Sequence, residues 1–226
     1  MIPISVVIPV GPSEANKRWI PDALESIQQQ TQLPDEVLII SDMAGLSQGM
    51  DHRQPYPIRT WTTPWRLGIP AAFNCGVALA QNECVFMLGS DDWLEPDCLE
   101  ECMKMYEKEG QPGNVFFFVG VRYNDNRKEK EQYAPCNAAM VTKRLWKATG
   151  GFPLQSASGA TDAAFCSIFW NRPEVCRFLG VQYEQRPLYN YRVHDESETA
   201  GLGPWQGVIL ETRDLLTELW KPPNWT

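Results

Sequence analysis

CVFMLGSDDW, residues 84–93, runs five apolar residues straight into a glycine, a serine and two adjacent aspartates. A short apolar run bounded by turn residues reads as a buried strand, here 84–88, and the acidic turn GSDDW at 89–93 then lies at its carboxyl end. Working outward, SVVIPV at 5–10 is a first buried strand, EVLIISD at 36–42 a second, and 58–62 a short third. Helical patterns separate them. Trp19, Ala23 and Ile27 share one face of a helix after the first strand, joined by Ile20 and Leu24, and GIPAAFNCGVALAQNE at 68–83 is Ala-rich and helical. Alternation of this kind specifies an α/β domain with a mainly parallel central sheet flanked by helices.

Beyond the acidic turn, Pro96 suits a helix first turn, and Leu99, Cys102, Met103 and Tyr106 repeat at helical spacing. VFFFVGVRY at 115–123 reads as one strand and NDNRKEKEQ at 124–132 as a charged loop. A strand near 136–142 leads to a short helix ending at Gly150-Gly151. A helix near 162–171, a strand near 181–192 and an amphipathic helix over 205–220 complete the reading. One domain over residues 1–226 is expected, its halves about 1–110 and 111–226.

Composition narrows the function. A net charge of −8 argues against nucleic acid as a partner, since that affinity rests on neutralising phosphates with Lys and Arg. Seven cysteines with no CxxC pair, and only two histidines, argue against structural zinc. Cys98 and Cys102, one helical turn apart among apolar neighbours, read as buried free thiols, which points to a reducing compartment. The short N-terminal apolar run lacks a basic start and is broken by Pro3 and Pro9, so neither a signal peptide nor a transmembrane segment is expected. A cytoplasmic protein is the expectation.

In an open α/β sheet, ligands sit beyond the carboxyl ends of the strands. The second strand ends at Asp42 and the fourth at Asp91-Asp92, which places both acidic sites on one edge. Two adjacent carboxylates repel each other, and a hard, oxygen-seeking divalent cation, Mn2+ or Mg2+, relieves the repulsion. The plainer reading of the pair is an acidic turn beside a helix N-terminus.

LGSDDWLEP at 88–96 resembles the D-x-D region of family 2 glycosyltransferases. SVVIPV and LPDEVLIISD resemble that family's first two strands, and the stretch from Gly68 through Ala72 and Asn74 to Gly76 its Gly-x-x-x-Ala-Arg-Asn-x-Gly helix. YRVHDES at 191–197 resembles its Tyr-Arg-x-His-x-x-Ser element, and the matches keep family order over roughly residues 4 to 200.

The resemblance implies a GT-A (Rossmann-like) fold, with a nucleotide-sugar-binding half over about 1–110 and an acceptor-binding half over 111–226. It implies inverting, metal-dependent transfer from a nucleoside diphosphate sugar, UDP-linked by expectation, to the hydroxyl of a glycan or glycoconjugate acceptor. It implies that Asp42 accepts a hydrogen bond from the base, with a loop-capping aspartate as the alternative. Pro9 would lie against the nucleoside. Arg66 would meet the base or diphosphate, or else be a solvated loop arginine. Asp91 would hold the ribose or the metal's water shell, Asp92 would ligate the metal directly, and His194 would add a ligand or play a structural part. Asp162, in SASGATDAAFCSIFW at 156–170, would be the base, with N-terminal helix stabilisation as its plainer role. Trp93 is the one tryptophan singled out for stacking on a sugar ring.

Three positions depart from the family pattern: Gly89 stands for the first acid of D-x-D-D, Phe73 for the arginine before Asn74, and Thr161 for the first acid at the base site. These departures keep a second reading in play, a non-catalytic nucleotide-sugar binding module. A nucleotidyltransferase is a third, but GPSEANKR at 11–18 is a poor phosphate loop. No Gln-x-x-Arg-Trp motif occurs, which argues against a processive polysaccharide synthase.

Overall fold

β1 (Ile4–Val10) is buried along its whole length, and so is β2 (Glu36–Ser41), as strands covered on both faces must be. The computed structural model describes residues 2–46, 54–124, 138–154, 165–166, 169, 172, 174–180 and 186–195. Its other elements are α1 (Glu14–Arg18), α2 (Ile20–Gln28), β3 (Ile58–Thr62), α3 (Ile69–Leu79), β4 (Cys84–Met87), β5 (Trp93–Leu94), α4 (Cys98–Lys108), β6 (Val115–Phe118), β7 (Val121–Tyr123), β8 (Ala139–Thr142), α5 (Lys143–Thr149), β9 (Arg177–Gly180) and β10 (Tyr189–Tyr191).

Seven strands form the central sheet in the order β3-β2-β1-β4-β8-β6-β9, with β8 alone antiparallel to its neighbours. Alternate residues of each strand feed two cores. Val6, Ile8, Ile39, Phe86 and Phe117 face α2 and α4, whereas Val7, Ile40, Met87 and Phe116 face α3 and α5. α3 lies so close to the sheet at Gly76 that a Cβ there would run into Val7 and Ile40. Val10 pairs with Ser41 and Ser41 with Thr62, so β1, β2 and β3 end level; Asp42 and the acidic turn after β4 emerge at this edge.

The expected elements form with three corrections. The helix after β1 divides at Trp19, because Pro21, at the start of α2, has no N–H to donate and its ring would clash in a continuous helix. The run 115–123 is two strands in different sheets: β6 belongs to the central sheet, and β7 joins β5 and β10 in a small three-stranded one. The chain steps across at Gly120, whose carbonyl accepts from the N–H groups of Leu188 and Tyr189. The strand expected near 181–192 is confined to β10 among the described residues. The helix near 162–171 keeps helical residues at Phe165, Cys166 and Phe169, all buried in the core that also holds Phe116 and Trp146. The 205–220 helix and most of the 124–132 loop lie outside the described residues.

Glu36, at the edge opposite the acidic turn, anchors the sheet's lower rim. Its carboxylate accepts from Ser5 Oγ at 2.7 Å, the Gln81 N–H at 2.5 Å and Arg59 Nε at 2.9 Å. Burial alone would raise its pKa, but the Gln81, Ser5 and Arg59 donors together hold it below the ordinary value of 4.5. Glu36→Gln is expected to cost about 2–4 kcal/mol at neutral pH by urea denaturation, mostly through Gln81 and Ser5, since the Arg59 side chain is 41% exposed and screened. A lowered folded-state pKa contributes stability above the unfolded value and loses it as pH falls through the folded one. The gap between variant and wild type should therefore narrow below pH 4.5.

Candidate functional site

The acidic turn is bolted to β10 from beneath. Asp92 is 1% exposed; its Oδ2 accepts from the Tyr189 hydroxyl at 2.5 Å and its Oδ1 from the Arg192 N–H at 2.8 Å. The Tyr189 oxygen in turn accepts from the Gly89 N–H at 3.0 Å. Burial, then the charge of Asp91, push the Asp92 carboxyl well above the usual range, against the pull of Tyr189 and Arg192. Burial and the Asp92 charge likewise raise the Tyr189 phenol. Tyr189→Phe would leave a buried carboxylate oxygen and the Gly89 N–H without their partner. The expected cost is about 1–3 kcal/mol by urea denaturation.

Asp91 turns the other way. Its Oδ2 lies 3.0 Å from His194 Nε2, and the two side chains are 24% and 19% exposed. Direct metal contact was expected of Asp92, yet that carboxylate is enclosed and both its oxygens are held by protein donors. The partly exposed oxygen-plus-imidazole pair is Asp91 with His194. Gly89 has a steric reason as well: a Cβ there would press on Asp92 Oδ2 and stand 3.1 Å from Asp91 Oδ1, so a side chain would crowd both carboxylates.

Asp42, at the end of β2, is 4% exposed. Its Oδ1 accepts from the Leu67 N–H at 2.6 Å and Thr63 Oγ1 at 3.2 Å, and its Oδ2 from the Gly68 N–H at 2.9 Å. The carboxylate thus folds the 63–68 loop around itself, the loop-capping alternative. Because a carboxylate offers about four acceptor directions, room for a further donor remains. Arg66 is exposed on the outside of this loop beside Trp65, itself 66% exposed. Pro9 is buried in β1, paired with Ile40.

Trp93 has the Arg192 guanidinium 4.7 Å from its ring centroid, so one of its faces is already covered. Asp162 and Thr161 lie outside the described residues. Phe73 is 1% exposed and meets Phe152 edge-on at 6.1 Å, so the residue in place of the family's arginine fills core. Asn74 clamps α3 to the turn after α5: its Oδ1 accepts from Trp146 Nε1 at 3.0 Å and the Phe152 N–H at 2.8 Å, and its Nδ2 donates to the Phe152 carbonyl at 2.8 Å. Tyr189 was not foreseen as part of the site, since nothing near residue 189 betrays a partner near residue 92.

Among the described residues no group of three or more His, Cys, Asp or Glu converges to hold a metal, and no helix is long and apolar enough to cross a membrane. All six described cysteines are free thiols.

An α/β sheet with aspartates at its carboxyl edge and a small second sheet behind them is the GT-A architecture. TarS of S. aureus, in complex with UDP-GlcNAc, shares it with a TM-score of 0.72 at 14% identity, over 95% of this chain and 65% of its own. Mannosyltransferase PcManGT of Pyrobaculum calidifontis, in complex with GDP-Man and Mn2+, does so with a TM-score of 0.67 at 16% identity, over 99% of this chain and 66% of its own. The chain belongs to glycosyl transferase family 2, whose model matches residues 5–170. Chondroitin synthase of Escherichia coli is 26% identical over 200 residues, 80% of this chain and 28% of that protein. Chondroitin synthase of Pasteurella multocida is 27% identical over 144 residues, 58% of this chain and 14% of that protein. The uncharacterized glycosyltransferase YwdF of Bacillus subtilis is 31% identical over 87 residues, 38% of this chain and 32% of that protein. The chain therefore spans less than a third of the length of each of these curated relatives.

Proposed function

We propose that this chain transfers a sugar, with inversion, from a nucleoside diphosphate to an acceptor hydroxyl, with Asp91 and His194 as its ligands to a divalent cation. The observation that carries the reading is the 3.0 Å pairing of Asp91 Oδ2, on the turn after β4, with His194 Nε2, beyond β10. Both side chains are partly exposed, at 24% and 19%, so a ligand could reach the pair from solvent. A carboxylate oxygen and an imidazole suit Mn2+, or Mg2+ with the remaining positions left to water and diphosphate oxygens. When bound, such a cation stabilises the charge that develops on the leaving diphosphate.

This chain's own residues supply the rest. Asp42 shapes the loop that presents Arg66 toward the nucleotide, Pro9 lies under the nucleoside, and Asp162 takes the acceptor proton on the far side of the sugar. UDP is the nucleotide we favour, and a glycan or glycoconjugate the acceptor. A cytoplasmic setting is supported by the free thiols.

The test is thermal shift and donor hydrolysis across a panel of UDP- and GDP-sugars, with and without Mn2+. A Mn2+-dependent rise in melting temperature with UDP, and slow release of UDP from one sugar of the panel, is the expected result. Neither nucleotide raising the melting temperature would sink the proposal. Mn2+-dependent binding with no hydrolysis of any donor and no transfer would favour the non-catalytic binding module, which the Thr161 departure at the base site also supports.

A further inference from the structure

His194 lies two residues beyond Arg192, a side chain anchored to the acidic turn from several directions. Arg192 makes at least five connections among the described residues. Its backbone N–H donates to Asp92 Oδ1 at 2.8 Å, its Nε–H to the Asp91 carbonyl at 2.7 Å, and its Nη2 to Asp22 Oδ2 at 2.7 Å. The guanidinium carbon sits 3.8 Å from the Trp19 ring centroid and 4.7 Å from that of Trp93, so the cation touches two indoles. Its side chain is 15% exposed. Partial desolvation strengthens the attraction between cation and indole beyond what an exposed site provides.

We propose that Arg192 is a positioning residue: held against Trp19 and Trp93, it sets His194 against Asp91 and so fixes the geometry of the cation-binding pair. The inference rests on the reading of Asp91 and His194 as metal ligands and adds to it the element that makes them a pair. Two steps carry it. First, the backbone on both sides of the Arg192 Cα is pinned, since its own N–H is held by Asp92 and the Val193 N–H donates to Asn124 Oδ1 at 2.9 Å. With the N–H groups of residues 192 and 193 both tied, the chain enters His194 from a fixed starting point. Second, the same guanidinium holds the Asp91 carbonyl, so the main chain of one ligand is fastened to the residue that steers the other.

The arrangement also accounts for the break between α1 and α2. A continuous helix would not present Trp19 at this junction, and Pro21 enforces the break. Lysine cannot substitute for Arg192 here, because a point charge on a flexible stem neither stacks on indole rings nor donates in two fixed directions at once.

The test uses the full chain and two probes, UDP and Mn2+, with bound Mn2+ followed by loss of the free-ion signal in electron paramagnetic resonance. Arg192→Lys is expected to weaken Mn2+ binding in the presence of UDP by about 10–100-fold, the range seen when outer partners of metal ligands are removed. Trp19→Phe, with a smaller aromatic face, should weaken it less, and it keeps the proposal testable if Arg192→Lys fails to fold. Binding of UDP without metal should stay level in both. A purely structural role would lower the metal-free melting temperature and leave Mn2+ affinity of the folded fraction unchanged, and that outcome would overturn the proposal. So would wild-type Mn2+ affinity in both variants while His194→Ala loses it, with the metal reading left standing. Equal Mn2+ binding by wild type and His194→Ala would instead remove the metal reading, and the positioning role with it.

Discussion

Asp91→Asn is expected to reduce metal-dependent donor turnover by about 10²–10³-fold, the loss that follows removal of one preorganised group stabilising charge in a transition state. Asparagine keeps the size of the side chain and its fit beside Gly89, so the turn has no steric reason to move. It removes the negative charge that faces His194 at 3.0 Å and leaves the imidazole nitrogen as the remaining ligand of that pair. Turnover of the donor that the panel identifies, measured across a Mn2+ titration, is the readout. Because His194 remains, excess Mn2+ should restore part of the rate.

The companion substitution separates the two aspartates. Asp92→Asn sits where both oxygens are engaged, with Tyr189 at 2.5 Å and the Arg192 N–H at 2.8 Å. Its amide would direct N–H groups toward Tyr189 Oη, which already accepts from the Gly89 N–H. The phenol proton then loses its acceptor, so the effect should fall on stability rather than on metal dependence. If Asp91→Asn turned over at the wild-type rate and Asp92→Asn abolished the response to Mn2+, the direct metal contact would belong to Asp92.

The division of labour between these neighbours shows where sequence reasoning stops. Two aspartates after a buried apolar run identify an acidic rim from local pattern alone. Which of them faces outward is decided by Tyr189 and Arg192, about 100 positions away, so no local pattern records it. The same limit applies at Asp42. Its place at the end of β2 follows from the EVLIISD run, but the capture of its carboxylate by the Leu67 and Gly68 N–H groups depends on how the 63–68 loop returns.

Strands and helices with strong periodicity were legible: β3 spans the residues expected of it, and Leu99, Cys102, Met103 and Tyr106 are all buried on α4. Breaks were less so. VFFFVGVRY has uniform strand character, and only the pairing of Gly120 with the 188–189 segment shows that it serves two sheets. Trp19 looked like one member of an apolar helix face. Pro21 signals the break two residues later, yet the partner that makes the break useful, Arg192, comes from the far end of the domain.

The second large effect is expected at Asp162, outside the described residues. Inversion needs a proton acceptor on the ring face opposite the diphosphate, and a positioned carboxylate is worth about 10²–10⁴-fold in rate. Asp162→Asn should lower transfer by that factor and leave the affinity for UDP with Mn2+ within about twofold of wild type, since the lost interaction belongs to the transition state. Thr161 stands where the family pattern carries another acid, so the adjacent position in this variant has no carboxylate to take over the proton. The segment's described residues Phe165, Cys166 and Phe169 are buried, Phe165 against Phe116, Trp146, Phe152 and Phe169. A fall in UDP affinity parallel to the fall in rate would point to a role in donor binding. An unchanged rate would remove Asp162 as the base and reopen the search among acids of the acceptor-side region.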